Sequence, residues 1–184
     1  MTGIERANAR IIDEFISTEQ QAHLLAVANE YRATGVLEAN PSGPMRFRQK
    51  VYGSQYCDHE MQRLAARIIA TFALDGYPVD PYLGWIISYI EPGGFIKPHI
   101  DRQPHYQQTS DKHLRCNVLV QGKDESAYPL VGAQRLKVGE RGLWAFFASE
   151  FPHGTEVLQG DQPRIVYQFG FTVPADYALG RRGT

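Results

Sequence analysis

The chain has 184 residues, 43% hydrophobic and 21% charged, which is the balance of a globular domain rather than of a disordered or fibrous chain. Nineteen Lys and Arg nearly cancel twenty Asp and Glu, so no strong net field draws the protein onto nucleic acid or an anionic membrane. Two cysteines are too few for a disulfide framework, no apolar run approaches the ~20 residues of a membrane span, and residues 1–8 lack the pattern of a signal peptide, so a cytoplasmic protein is expected.

A chain of this length reads as one domain over 1–184, with a helical N-terminal part (1–80) and a β-rich part (81–175). Ile11, Ile12, Phe15 and Ile16 form a short strand or buried entry. Ser17 with Gln20 three residues later matches a capping box, and Leu24, Val27, Ala28 and Tyr31 follow at one-face helical spacing, with Gly35 as a C-cap. A second helix is expected over about residues 58–73, with Met61, Leu64, Ala65, Ile68 and Phe72 on one stripe. Between the two, residues 40–52 read as a loop or hairpin whose Arg46, Arg48 and Lys50 suit either a solvated edge strand or one wall of a site.

From residue 82 onward, short β-rich runs alternate with turn residues. Strands are expected over 83–90, 95–100, 114–121, 134–138, 143–147, 153–158 and 165–172, the pattern of a sandwich or jelly roll. Residues 102–114 are polar and read as a structureless lid or binding loop, with Arg102 a candidate substrate contact.

Six histidines occur. His99 and Asp101 stand two apart at the end of an expected strand, so their side chains share a face. With His153, at the start of a later strand, they would make two imidazoles and one carboxylate on a divalent metal, leaving open positions for an oxo-acid and dioxygen. A His-x-Asp pair alone arises by chance. Arg164, eleven residues past His153 (164 − 153 = 11), adds weight: a hairpin turned at residues 160–163 would return its guanidinium to the metal end, where it suits a carboxylate. Arg115 and Asn117 share one face of a strand, as do Trp144 and Phe146 on another.

At this point the sequence resembles the iron(II)- and 2-oxoglutarate-dependent oxygenases, nearest in pattern to the prolyl-hydroxylase-like branch. The resemblance rests on Ile11-Ile-Asp-Glu-Phe-Ile-Ser-Thr-Glu-Gln, on Tyr89-Ile-Glu-Pro-Gly-Gly-Phe-Ile-Lys-Pro-His-Ile-Asp, on Val138-Gly-Glu-Arg-Gly-Leu-Trp-Ala-Phe-Phe, on Phe151-Pro-His-Gly-Thr-Glu-Val and on Arg164-Ile-Val-Tyr-Gln-Phe, in that order. It implies a mainly β (α+β) fold, a double-stranded β-helix (jelly roll) with N-terminal helices packed on one face. It also implies Fe(II) held by His99, Asp101 and His153, with 2-oxoglutarate and dioxygen as co-substrates and Arg164 on the distal carboxylate. Tyr89 and Asn117 are further expected 2-oxoglutarate contacts; Arg115, Trp144, Arg102, Arg46 and Arg48 are expected at the substrate.

Three departures qualify the resemblance. Val166 stands two past Arg164, where some relatives carry a hydroxyl, so Tyr89 or Asn117 must replace it. Gly170 stands six past Arg164, where nucleic-acid demethylating relatives carry a second arginine. Asp101 is retained where halogenating relatives have Gly or Ala, which implies hydroxylation. The expected substrate is a small amino-acid-like or carboxylate-bearing molecule. A protein or peptide side chain is the alternative, and a non-oxidative cupin-like metal-binding protein a third.

Overall fold

A computed structural model describes residues 9–179; residues 1–8, read above as lacking a signal peptide, lie outside the described residues. Strand β1 (Ala9–Ile12) leads into helix α1 (Thr18–Ala33), whose first turn is closed by a capping box. The Gln20 amide donates to the Ser17 hydroxyl and the Ser17 amide donates to the Gln20 side chain, which satisfies two orphan donors at once. A hairpin of β2 (Glu38–Ala39) and β3 (Arg46–Lys50) follows, then α2 (His59–Phe72), capped by Asp58. The Asp58 carboxylate also meets His23 of α1 at 2.8 Å and so ties the two helices together. Helix α2 buries Met61, Leu64, Ala65, Ile68 and Phe72, one continuous apolar stripe.

The rest is mainly β: β4 (Trp85–Ile90), a short α3 (Pro104–Gln108), β5 (Lys112–Gln121), β6 (Pro129–Val131), β7 (Gln134–Arg135), β8 (Leu143–Phe147), β9 (His153–Thr155) and β10 (Arg164–Val173). Seven antiparallel strands form a large sheet in the order β1-β8-β5-β10-β4-β3-β2, and β7-β6-β9 form a small one. Two-residue alternation then sorts the side chains of the central strands. On β10 the odd-numbered Ile165, Tyr167, Phe169, Phe171 and Val173 share one apolar cluster with Leu24 and Ala28 of α1 and Leu64 and Ile68 of α2. The Tyr167 hydroxyl donates to the Leu24 carbonyl at 2.8 Å within it. The even-numbered Val166 instead joins Leu119, Trp144, Phe146 and, from the small sheet, Val131. Each fully buried large apolar side chain contributes about 1.5–3 kcal/mol. The space on that even-numbered face is where the polar residues gather.

Several sequence expectations are corrected. Residue 80 is no structural boundary, because β1, β2 and β3 belong to the large sheet. Residues 95–100 form no strand: Pro98 has no N–H to donate, and only His99 makes a bridge, to His153. The loop after Asp101 is not structureless, since Pro104 opens α3, a position proline favours. β9 and β10 are not a hairpin; they lie in different sheets and residues 156–163 cross between them. β6, three residues long, is too short to show a periodicity. Among the described residues no helix is long and apolar enough to cross a membrane, and both cysteines are free.

Candidate active site

His99 and His153 face each other across an antiparallel bridge. Each amide donates to the other's carbonyl, at 3.0 and 2.8 Å, while the Asp101 amide donates to the Ala148 carbonyl at 2.9 Å. The backbone alone therefore places all three side chains together, with a possible ligand atom from each inside a 4.8 Å cluster. Glycine is required beside them: a Cβ on Gly154 would come within 2.6 Å of the Ile96 carbonyl oxygen. The imidazole Nδ1 atoms lie against carbonyls two residues back, His99 on Lys97 at 2.8 Å and His153 on Phe151 at 3.1 Å. Those contacts favour protonation at Nδ1 and leave the Nε2 atoms as the acceptors, 3.5 and 3.8 Å from Asp101 Oδ1, with Arg115 Nη1 3.4 Å from that of His153.

The electrostatics keep the set competent as ligands. Burial on its own would raise the Asp101 pKa, but Arg115, with His113 and His99, holds the carboxyl well below the usual carboxylate range. Arg115 Nη2 stands 2.5 Å and His113 Nδ1 3.1 Å from Asp101 Oδ2, which leaves Oδ1 toward the imidazoles. Burial, reinforced by Arg115, pushes His153 down to about 3, so it is neutral across the physiological range. His113 lies over Gly170, where a Cβ would come within 2.8 Å of its Nε2. Tyr106 of α3 stacks on His113, at 5.7 Å between ring centroids, and donates to Asp80. Two imidazoles and one ionised carboxylate suit iron(II), so the residues present fit the metal that the sequence implies.

Beside this cluster is a cleft walled by His99, His153, Arg115, Asn117, Trp144, Phe146, Arg46, Arg164 and Gln168. Arg164 is 2% exposed; its Nε donates to the Ala127 carbonyl at 2.7 Å and its guanidinium carbon sits 5.5 Å from the Trp144 ring centroid. Burial, then Arg46, pushes it down to about 9, so it remains charged at neutral pH. Neither Arg164 nor Arg46 has a carboxylate partner among the described residues.

The structure gathers most of the sequence candidates and displaces three. Tyr89 does not reach the cleft: it lies on the odd-numbered face of β4, in the cluster with α1, and its hydroxyl donates to Asn29 at 3.2 Å. Its neighbour Ile90 points the other way, and a one-residue offset exchanges the two faces of a strand. Arg102 is exposed and outside the cleft wall. Arg48 lines a separate surface groove with Asn40 and Lys50. Arg46, far from being a solvated edge residue, is 5% exposed.

Sequence reasoning missed Gln168, Ser88 and His113. Gln168 stands directly opposite Asn117, and each has an amide oxygen that is buried without a partner. Ser88, directly opposite Val166, carries a buried hydroxyl without a partner. The available signal was parity, since 113, 115 and 117 alternate on β5 and 164, 166 and 168 on β10.

No protein-family profile matches the sequence, and no curated protein does. Solved structures do. A prolyl hydroxylase from Trichoplax adhaerens, in complex with a hypoxia inducible factor peptide fragment, superimposes with a TM-score of 0.63 at 12% identity, covering 96% of this chain and 89% of that one. The fold is that of the prolyl-hydroxylase-like oxygenases. The non-haem α-ketoglutarate-dependent epimerase SnoN of nogalamycin biosynthesis gives a TM-score of 0.68 at 15% identity, covering 97% and 87%. HygX from Streptomyces hygroscopicus, with nickel, 2-oxoglutarate and hygromycin B bound, gives 0.63 at 12% identity, covering 95% and 86%.

Proposed function

We propose that this chain is a single-domain iron(II)- and 2-oxoglutarate-dependent dioxygenase that hydroxylates a C–H bond of a small, carboxylate-bearing substrate. The observation that carries the reading is the meeting of His99, Asp101 and His153 beside a cleft that also holds the buried, carboxylate-free Arg164. The two-sheet architecture, with α1 and α2 packed against one face of the large sheet, supports a double-stranded β-helix. The cationic lining of the cleft suits a carboxylate, whether on a small molecule or on an acidic peptide, and the small molecule is the reading put to the test.

In this reading His99, Asp101 and His153 hold the metal. Bound iron(II), with 2-oxoglutarate and dioxygen, supplies the oxidising power for C–H hydroxylation, with succinate and carbon dioxide as the other products. The chain's own work is positional. Arg115 and His113 keep Asp101 ionised and aimed. The Arg164 guanidinium, with Nε already committed to Ala127, presents its remaining N–H groups to the distal carboxylate as a fork. Trp144 and Phe146 form an apolar wall that limits water near the reacting carbon. Asn117 and Gln168 offer amides with unfilled hydrogen-bonding capacity for substrate or co-substrate.

The test is mass spectrometry of reactions containing iron(II), 2-oxoglutarate and air across a panel of amino acids, their N-acyl derivatives and short peptides. The expected product carries one added oxygen atom and forms with succinate in equal amount. Peptide-only turnover would replace the small-molecule reading.

A further inference from the structure

Arg46 is a buried cation that no carboxylate contacts among the described residues. It stands on β3 at 5% exposure, with Nη1 donating to the Ser42 hydroxyl and Nε without a partner. Arg46 and Arg164 are both registered opposite Ile90, which lies between them on β4. The two guanidinium side chains therefore leave the sheet on one face, from backbone positions roughly 10 Å apart, two steps of ~4.8 Å. Both line the cleft.

A charge balance separates their roles, and it rests on the function proposed above. Asp101 answers Arg115 directly. The metal and Arg164 would receive the two carboxylates of 2-oxoglutarate. Of the cleft arginines, Arg46 is then the one that no carboxylate touches. Burying a guanidinium with no carboxylate in contact is costly, and a bound anion would relieve that cost. Burial, then Arg115 and Arg48, pushes Arg46 down to about 10 against a smaller opposing pull from Asp101, which leaves it charged at neutral pH. Its orphaned Nε and its fork geometry suit a planar two-oxygen acceptor.

We propose that Arg46 binds a carboxylate of the substrate and thereby selects small carboxylates over their neutral analogues. The competing arrangement is that Arg46 shares the distal carboxylate of 2-oxoglutarate with Arg164.

The experiment uses the full chain loaded with manganese(II), a stand-in that does not turn over, and saturated with 2-oxoglutarate. Acetate is titrated against acetamide, its neutral counterpart of the same shape, at constant ionic strength, and the thermal midpoint is followed. The wild type should show a saturable rise with acetate and none with acetamide. Arg46→Met should need at least tenfold more acetate for the same rise, Arg46→Lys should keep the charge and so retain part of the response, and 2-oxoglutarate affinity by calorimetry should stay within threefold in both. Arg46→Met without acetate should melt no lower than wild type, because a buried unpaired charge has gone; if it does not fold, Arg46→Gln takes its place.

An acetate response that survives in Arg46→Met, an equal response to acetamide, or no response in the wild type would overturn the proposal. A loss of 2-oxoglutarate affinity beyond threefold in Arg46→Met would also overturn it and move Arg46 to the co-substrate. A metal-loaded wild type that binds no 2-oxoglutarate is a different result, which refutes the oxygenase reading itself.

Discussion

Arg115 touches two of the three candidate metal ligands with one guanidinium: Nη2 is 2.5 Å from Asp101 Oδ2 and Nη1 is 3.4 Å from His153 Nε2. Its planar fork fixes the direction in which Asp101 presents Oδ1, a constraint that a flexible lysine would supply only in part. Arg115→Met should therefore weaken manganese(II) binding by about 10- to 100-fold, the usual scale for partners of metal ligands. Calorimetric titration checks this, with circular dichroism to confirm the fold. An affinity within threefold of wild type would mean that the backbone places Asp101 unaided.

His99→Ala, Asp101→Ala and His153→Ala should each remove metal binding in the micromolar range and abolish 2-oxoglutarate consumption. The three should differ in stability. His99 is the most exposed of the set and its truncation should be nearly neutral, whereas Asp101→Ala leaves Arg115 as an uncompensated buried charge and should cost about 3–5 kcal/mol. Urea unfolding distinguishes them, and equal losses for His99→Ala and Asp101→Ala would contradict the ion-pair argument.

Arg164→Leu should weaken 2-oxoglutarate binding by about 2–5 kcal/mol, since truncating one side of a buried charge-assisted pair leaves the other side unpaired. Titration of the manganese(II) protein measures it. A loss below about 1 kcal/mol, the scale of an exposed pair, would assign Arg164 a structural role only.

Tyr89→Phe should leave 2-oxoglutarate affinity unchanged and cost about 1 kcal/mol or less in stability, because its hydroxyl meets only the Asn29 side chain, on the helix side of the sheet. A tenfold loss of co-substrate affinity would contradict this placement.

The helices were legible because their signals are local: the Ser17 and Gln20 capping box lies within one turn and the Met61-to-Phe72 stripe within about three. His99, Asp101 and His153 were legible as residue types at a spacing, but not for the reason their spacing gave. No strand carries them together; the reciprocal amides of His99 and His153 and the Asp101–Ala148 hydrogen bond do. Parity was the weak link. Tyr89 and Ile90 are both apolar enough for either face, and β4 is buried on both sides, so the sequence has no polar alternation from which to read its register. Burial of Arg46 was invisible for a related reason: β3 looks like a charged edge strand until β2 covers its outer side. Gln168 was readable only by its parity with Arg164 on β10, and its place in the cleft wall comes from the tertiary fold.

The central claim, that this cleft binds 2-oxoglutarate on a metal held by His99, Asp101 and His153, is tested most directly by anaerobic titration of 2-oxoglutarate into the wild-type protein with and without iron(II), read by calorimetry and by visible absorption. The account predicts one 2-oxoglutarate per chain, bound only when the metal is present and accompanied by a new metal-to-ligand charge-transfer band that Asp101→Ala lacks. A folded, iron-loaded protein that binds no 2-oxoglutarate, or one that binds it equally well without metal, would contradict the account.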